Sequence, residues 1–276
     1  MARSSKLVSL SYVAEAVEDG SSVTVSGMTF VRNPVALVAA LIARGARGLC
    51  FIDREPGFVL DVLAASGALS CIRAAMASFE LYGLAPSVRR LAEERRVKYI
   101  EDTCGAVIAG FRAGAQGVPF MPARGLLGSQ LLELHEAWGT WRRIRDPFTG
   151  EELVAVKAIT PDYALVHVHV ADEYGNAVIE GPRFEDELKI RAAKRVIISA
   201  EKIVPTEELR GFAHQLSATM LHTDMVVHAP RGAWPTAMPG IYEADYAAIR
   251  GYYEAARAGR GADWAAERLV KNMGWR

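Results

Sequence analysis

The segment from Asp19 to Gly45 restricts the fold of this chain more than any other stretch. An Asp-Gly turn leads into a β-branched run, Val23 to Val25, which stops at Ser26-Gly27, and an apolar helical pattern follows Pro34. This order predicts a strand, a glycine loop and a helix, the unit that places backbone N–H groups at the carboxyl edge of a parallel sheet. The loop contains neither G-x-G-x-x-G nor G-x-x-x-x-G-K-[ST], so neither a dinucleotide fingerprint nor a triphosphate-binding loop is supported.

The composition excludes several classes of protein. The 276 residues are 51% hydrophobic, enough to bury a large core, and 32 basic residues balance 32 acidic ones. A net charge of zero does not favour nucleic acid as a partner, and no apolar run approaches the ~18 residues of a membrane span. Three widely spaced cysteines, Cys50, Cys71 and Cys104, predict neither a disulfide framework nor a metal cluster. We therefore expect a reduced, cytoplasmic protein that does not contact a membrane.

Strand-like apolar runs alternate with helical patterns along most of the chain. The predicted strands are Val23–Ser26, Leu49–Asp53, Cys71–Met76, Val97–Glu101, Ala155–Ile159, Ala164–Val170, Arg195–Ala200 and Met225–Ala229. The predicted helices are Ser9–Glu18, Pro34–Arg44, Phe58–Ser66, Pro86–Arg96, Thr103–Gln116, Glu185–Ala193, Ala244–Ala258 and Asp263–Lys271. Several strands are continuously apolar, as in sheets covered on both faces. The pattern predicts an α/β fold with an open, mostly parallel sheet, helices on both faces and C-terminal helices.

The segment Gly117–Pro147 interrupts this alternation. It is rich in proline and glycine at first and contains two tryptophans later. A long irregular segment is usually a functional loop or an interface arm. With no internal repeat, residues 1–276 are predicted to form a single domain.

Several segments, in order, resemble the alpha (A) subunit of the family I coenzyme A transferases, particularly the glutaconate CoA-transferase type. They are DGSSVTVSGMTFVRNPVALVAALIARG, ASFELYG, GVPFMPARGLLGS, ADEYGNAVIEG and AAKRVIISAEKIV. The resemblance extends from about Lys6 to Asp245. It implies that coenzyme A is a substrate and that no cofactor is tightly bound. Related branches open rings of steroid-derived CoA thioesters or decarboxylate glutaconyl-type CoA esters, so hydrolase and decarboxylase activities remain alternatives.

The resemblance also implies a partner chain. In the family, a glutamate on a B-type subunit attacks the thioester, and a free carboxylic acid later accepts the CoA. The A subunit contributes part of the acyl pocket and backbone donors. This chain would then be inactive alone and would act on acyl-CoA and a carboxylic acid within a hetero-oligomer, α2β2 or larger.

The loop after the first strand is the first candidate binding site. Gly27 allows close approach, and the amides of Met28 and Thr29, followed by Phe30, can face a thioester oxygen as it gains charge. The alternative is a tight turn without a ligand. Arg32 matches a basic position of the family and can bind a carboxylate in bidentate fashion, although a solvated arginine is equally consistent.

Two later strand ends supply further candidates. Ser78, Phe79 and Glu80 are expected to line the acyl pocket, with Glu80 alternatively an ordinary loop carboxylate. Glu101 matches a family position and is the preferred catalytic carboxylate, as a hydrogen-bonding partner. Cys104 stands where the steroid-ring hydrolases carry a working glutamate, which argues against that chemistry. As a thiol near a helix start it is either reactive or simply buried.

The remaining candidates lie farther along the chain. Gly128 and Ser129 either bring small residues near the acyl group or belong to a flexible arm. His167 and His169 project to one face of a strand and can hold a metal, but no third ligand is near, so packing is favoured and no metal is expected.

A ligand-sensing domain of a sugar-phosphate-responsive regulator is the alternative from a different functional class, by fold analogy only. Such regulators carry a helix-turn-helix before the sensing domain. The strand pattern here begins by Val23, and no basic recognition helix is present.

Overall fold

The structure is a computed structural model that describes residues 4–271, so residues 1–3 and 272–276 of the predicted domain lie outside the described part. The strands are β1 (Ser22–Val25), β2 (Leu49–Asp53), β3 (Leu69–Ala74), β4 (Lys98–Glu101), β5 (Phe120–Ala123), β6 (Trp141–Arg145), β7 (Glu152–Lys157), β8 (Tyr163–Ala171), β9 (Ala177–Val178), β10 (Arg195–Ile203), β11 (Leu216–Ala218) and β12 (Met225–His228). The α-helices are α1 (Leu10–Ala16), α2 (Val35–Arg44), α3 (Phe58–Ala65), α4 (Pro86–Glu93), α5 (Cys104–Gln116), α6 (Gln130–Trp138), α7 (Asp186–Ala192), α8 (Thr206–Arg210), α9 (Tyr246–Arg257) and α10 (Gly261–Ala265).

A parallel sheet dominates the molecule. Its strands follow the order β4-β3-β2-β1-β8-β10-β12, and every neighbouring pair in that series is parallel. β9 and β11 extend the sheet with antiparallel pairs beyond the end of β1. The predicted open, mostly parallel sheet is confirmed. The strands that follow β1 in the chain are added on one side of it up to β4, and β8 is added on its other side. This reversal of strand order between β1 and β8 marks the place where open α/β sheets bind ligands.

Helices cover both faces of this sheet, as predicted. Phe51 on β2 belongs to the large core shared with α2, α3 and α4, whereas its neighbour Ile52 packs with Phe111 of α5 and Leu188 of α7. Successive strand residues point to opposite faces, so the two clusters lie on opposite sides of the sheet. The C-terminal helices α9 and α10 join the larger core.

The prediction of an irregular segment over Gly117–Pro147 is wrong. This region forms β5, α6 and β6, and β7 completes an antiparallel sheet in the order β5-β7-β6. The predicted strand Ala155–Ile159 therefore overlaps β7 of this small sheet and is not a parallel strand of the main one. Trp141, Leu132 and Val156 pack on Ala106 of α5, and this distant core orders a stretch whose local pattern is weak.

Two of the three cysteines are neighbours across the sheet. Cys50 and Cys71 are register partners on β2 and β3, with Cα atoms 4.3 Å apart. Parallel register between the two strands brings them together, which their spacing along the chain did not indicate. Cys104 remains a free, exposed thiol. Within residues 4–271, no helix has the length and apolar composition needed to cross a bilayer.

Candidate active site

Four loops meet at the carboxyl edge of the parallel sheet, where β1 to β4 end. The side chain of Thr29, after β1, donates to Glu80, after β3, at 3.2 Å. The rings of Phe30 and Phe79 lie 5.5 Å apart. The Arg54 carbonyl, after β2, accepts the N–H groups of Ala75 and Met76. The predicted convergence of candidates from the first and third loops is therefore present.

The amides of the first loop are already used within the chain. Met28 N–H donates to the Val31 carbonyl at 3.1 Å, and Thr29 N–H donates to the Glu55 carbonyl at 3.1 Å. Gly27 N–H donates to an Asp186 carboxylate oxygen at 3.0 Å. These three donors hold the loop together, and such contacts do not support the prediction that the Met28 and Thr29 amides face a thioester oxygen.

Arg32 is an internal residue whose side chain does not point into solvent. Its side chain has no exposed surface, pairs with Asp186 of α7 and donates to the carbonyls of Pro182, at 2.9 Å, and His167, at 3.2 Å. A buried guanidinium needs such a partner because desolvation of an unpaired charge is costly. These contacts support a structural role for Arg32, and its expected role in binding a carboxylate stays a prediction.

A second buried ion pair joins α7 to the same edge. Lys189 and Asp53 are each 1% exposed, and their charged atoms are 2.8 Å apart. Lys189 also donates to the Val25 carbonyl at the end of β1, and Asp53 accepts from the Thr24 hydroxyl. With Asp186, α7 therefore fixes the ends of both β1 and β2.

Three of the predicted pocket residues lie beneath the site surface. Phe79 has no exposed area and packs among Phe58, Tyr252 and Tyr253, while Phe30 is 6% exposed. Ser78 is buried and accepts the Glu80 N–H at 2.8 Å. These side chains support the loops, since burial leaves them little surface for an acyl group.

Arg54 and two glutamates form the polar part of the site. The Arg54 guanidinium pairs through Nε with Glu185, at 2.8 Å, and through Nη1 with Glu55, at 3.2 Å. Burial and a hydrogen bond with the Glu80 carboxyl raise the pKa of Glu55. Thr29 and Glu80 both have positive φ, 46° and 49°. Strain of this kind in non-glycine residues often marks functional sites.

Cys104 adjoins this polar group. Burial opposes the charge of Arg54, but Glu185, the Cys104 thiol and Glu55 outweigh it, so the pKa of Arg54 is raised. Thr103 caps α5 by accepting the Ala106 N–H at 3.2 Å. The alternative of a buried thiol at Cys104 is excluded because its side chain is exposed.

Glu101 ends β4 at the mouth of a neighbouring groove. The groove has a volume of about 380 Å³, and Met76, Leu84 and Tyr99 are among its lining residues. Glu101 itself is exposed, and its carbonyl accepts from His135 of α6 at 2.7 Å. This carboxylate therefore borders a largely apolar surface and lies apart from the hydrogen bonds around Arg54.

Gly128 and Ser129 are exposed residues immediately before α6. The Ser129 hydroxyl donates to the Leu126 carbonyl at 3.1 Å, and no contact with the Arg54 group is found among the described residues. The structure thus places them on the small-sheet side of the edge, where their expected role in binding stays a prediction.

His167 and His169 are buried hydrogen-bonding residues. His167 bonds to Ser199, at 2.8 Å, and to Glu201, at 3.0 Å, while His169 bonds to the Pro239 carbonyl at 2.8 Å. Burial lowers the pKa of both imidazoles. Both ring nitrogens of His167 are occupied, which agrees with packing; in the described part of the chain no group of three metal-ligating side chains occurs.

The neighbouring carboxyl groups of Glu55 and Glu80 predict that the stability of the fold depends on pH. The raised pKa of Glu55 means that the folded chain binds more protons than the unfolded chain above the ordinary value of 4.5, so its contribution to stability falls as pH rises through that window. Two charged groups face Glu55: the Arg54 guanidinium, which favours its ionised form, and the Glu80 carboxylate, which opposes it. We expect Glu80→Gln to raise the melting temperature at pH 7 relative to the parent and to change it little at pH 4.

Glu93→Gln is the matched control, because Glu93 is an exposed carboxylate paired with Arg89 on α4. Thermal denaturation of the three proteins between pH 4 and pH 8 makes the comparison. If the melting temperatures of the parent and Glu80→Gln change with pH in parallel, the interaction between the Glu55 and Glu80 carboxyl groups is contradicted.

The fold and this edge define an α/β subunit of the coenzyme A transferase type. A family model described as coenzyme A transferase matches residues 10–216. The chain belongs to this family, and the predicted resemblance to its A subunits is confirmed.

Similar proteins differ in their named activities. An uncharacterised protein of Archaeoglobus fulgidus is 36% identical over 94% of this chain, which spans 57% of that protein's length. The IpdA subunit of the cholesterol ring-cleaving hydrolase of Rhodococcus jostii is 31% identical over 91% of this chain and 87% of its own. Glutaconate coenzyme A-transferase from Acidaminococcus fermentans has a similar structure, with a TM-score of 0.88, 25% identity and coverage of 97% and 89%. The decarboxylase AibA/AibB gives a TM-score of 0.87, 30% identity and coverage of 98% and 100%.

Sequence reasoning missed Arg54, Glu55 and the charged residues of α7. A signal for the first two exists: Asp53-Arg54-Glu55-Pro56-Gly57 follows a continuous apolar strand, so its side chains must reach the same edge as the first loop. No such signal marks Asp186 or Lys189, because charged residues on a helix normally indicate its solvent face.

Proposed function

We propose that this chain is the A-type subunit of a heteromeric CoA-transferase, which moves CoA between an acyl-CoA thioester and a carboxylic acid. A B-type partner supplies the attacking glutamate, in a complex of α2β2 or larger. Coenzyme A enters as a substrate, and no cofactor is held tightly. Family membership supports the chemistry, and the relatives named as subunits support the partner.

One structural observation supports the division of labour between two chains. Apart from Glu101, the glutamates that we place at this edge are engaged: Glu55 accepts from Arg54, Glu185 forms an ion pair with Arg54, Glu80 accepts from Thr29, and Glu201 is bonded to His167 and Tyr242. A carboxylate held by such bonds is a weaker nucleophile because its charge is already stabilised. This supports an attacking group that a second chain supplies.

We propose that Glu101, an exposed carboxylate, lies beside the acyl group of the bound substrate. Its groove is lined mainly by apolar residues, including Ala75, Ala77 and Val88. Such a surface suits an acyl group better than a nucleophile, whose reaction needs donors for the developing oxyanion. We assign Glu101 to hydrogen bonding with the substrate, with Ser129 and Gly128 bordering the same side.

Coexpression with a B-type partner tests the proposal. We expect the chain alone to leave acyl-CoA unchanged, and the complex to form a new thioester only when a carboxylic acid such as acetate is added. The partner's glutamate changed to glutamine should abolish transfer without dissociating the complex. Full turnover by the isolated chain would refute the shared site.

A hydrolase or decarboxylase is the second candidate, because the IpdA subunit and AibA/AibB are 31% and 30% identical to this chain. Neither reaction requires an acceptor acid. Thioester loss that is independent of acetate, with or without release of CO2, would favour this candidate. Transfer that depends on acetate would favour the first.

A further inference from the structure

We propose that Arg54 is the residue of this chain that donates a hydrogen bond to the carbonyl oxygen of the bound thioester. This inference rests on the proposed function in one respect, that an acyl-CoA binds at the carboxyl edge. It assigns a role that the amides of Met28 and Thr29 do not fill, because both donate to carbonyls of this chain.

The backbone of Arg54 is held on both sides. Its N–H donates to the Asp53 carboxylate at 2.7 Å, and that carboxylate is itself fixed by Lys189. Its carbonyl accepts from Ala75 and Met76 after β3. A side chain that starts from such a fixed position can present a donor without a large loss of conformational freedom on binding.

One nitrogen of the Arg54 guanidinium, Nη2, contacts a weak hydrogen-bond acceptor. Nε and Nη1 face the carboxylates of Glu185 and Glu55, whereas Nη2 faces the Met28 sulfur at 2.8 Å, and the Cys104 thiol is a further neighbour. Thioether and thiol sulfurs are weak acceptors. An oxygen that replaces them gains a charge-assisted hydrogen bond at this end. The Arg54 side chain is 14% exposed, so it is reachable and yet partly desolvated.

The charge that develops in the reaction suits a cation at this place. Glu55 and Glu185 pair with Nη1 and Nε of Arg54, and Nη2 is left for the carbonyl oxygen of the thioester. When a carboxylate attacks the thioester carbon, a C–O bond forms and the carbonyl electron pair moves onto oxygen. Return of that pair expels the CoA thiolate. Arg54 stabilises the intermediate oxyanion without giving up its proton, as arginine remains protonated.

Binding of acetyl-CoA and S-ethyl-CoA to the complex with the B-type partner isolates this contact, because these ligands differ by the carbonyl oxygen. Calorimetry should show that the parent prefers acetyl-CoA by about tenfold or more, and that Arg54→Gln loses this preference. In turnover, Arg54→Gln should lower kcat by about 10²–10³-fold with little change in KM.

Arg44→Gln is the matched control, since Arg44 is also partly buried and paired, with Asp19, but lies at the opposite edge of the sheet. It should keep the parent's preference and kcat. If Arg54→Gln does not fold, Arg54→Lys carries the test: a reduced preference supports the assignment, and an unchanged preference overturns it.

Two other results overturn the inference: no preference in the parent, or an Arg54→Gln variant that loses affinity for both ligands equally. The proposed function is judged separately. A parent complex that prefers acetyl-CoA but transfers no CoA contradicts the transferase and leaves the Arg54 contact intact.

Discussion

Replacing Arg32 by methionine is expected to lower the free energy of unfolding by about 3–5 kcal/mol. Arg32 and Asp186 have no exposed side-chain area and pair with each other, so the substitution leaves a carboxylate buried without its cation. The Gly27 N–H, at 3.0 Å, is too little compensation for that charge. Urea denaturation followed by circular dichroism measures the loss.

The double variant Arg32→Met/Asp186→Leu separates charge from packing. Removing both charges should recover most of the lost stability, since replacing a buried ion pair by apolar residues is often neutral. Arg124→Met is the surface control, because Arg124 is 76% exposed and pairs with Glu151; we expect it to cost at most about 1 kcal/mol. Equal losses for Arg32→Met and Arg124→Met would contradict the buried pair.

Gly27→Ala is expected to cost about 2–5 kcal/mol, from a strained backbone and a steric overlap. Gly27 has φ of +77°, and a Cβ there would lie 2.0 Å from the Val31 carbonyl oxygen and 2.7 Å from that of Arg32. The overlap is with backbone, so no side-chain rotation relieves it. The same urea denaturation reports the change.

Gly125→Ala supplies a close control. Gly125 has φ of +79° but nothing within 4 Å of its built Cβ, so only the backbone strain of about 1–2 kcal/mol applies. The difference between the two variants therefore measures the overlap. If Gly27→Ala costs no more than Gly125→Ala, the loop is looser than described.

Local sequence determined the first elements well. β2 was predicted with its observed bounds, Leu49–Asp53, and α2 within one residue. Apolar runs and the glycine at position 45, which has φ of +78° after α2, act over a few residues and are visible in the sequence. The order of the strands then places the loops after β1 and β3 at one edge, as predicted.

Long-range partners were beyond such reasoning. Whether Arg32 is solvated or buried depends on Asp186, 154 residues away. The hydrogen-bond partners of the Met28 and Thr29 amides depend on which carbonyls lie near them in the folded loop. The small sheet depends on a core around Trp141 that packs on α5. In each case the deciding contact joins segments whose separation no periodicity reveals.

The position of α7 in the chain has a consequence for how the protein folds. Asp186 reaches back 159 residues to Gly27, and Lys189 reaches back 136 residues to Asp53. Ribosomes add about 5–20 residues per second, so Asp186 is synthesised roughly 8–30 s after Arg32, the residue with which it pairs. During that interval the first βα units hold unpaired charges in water, and we expect the carboxyl edge of the sheet to become rigid only late in synthesis.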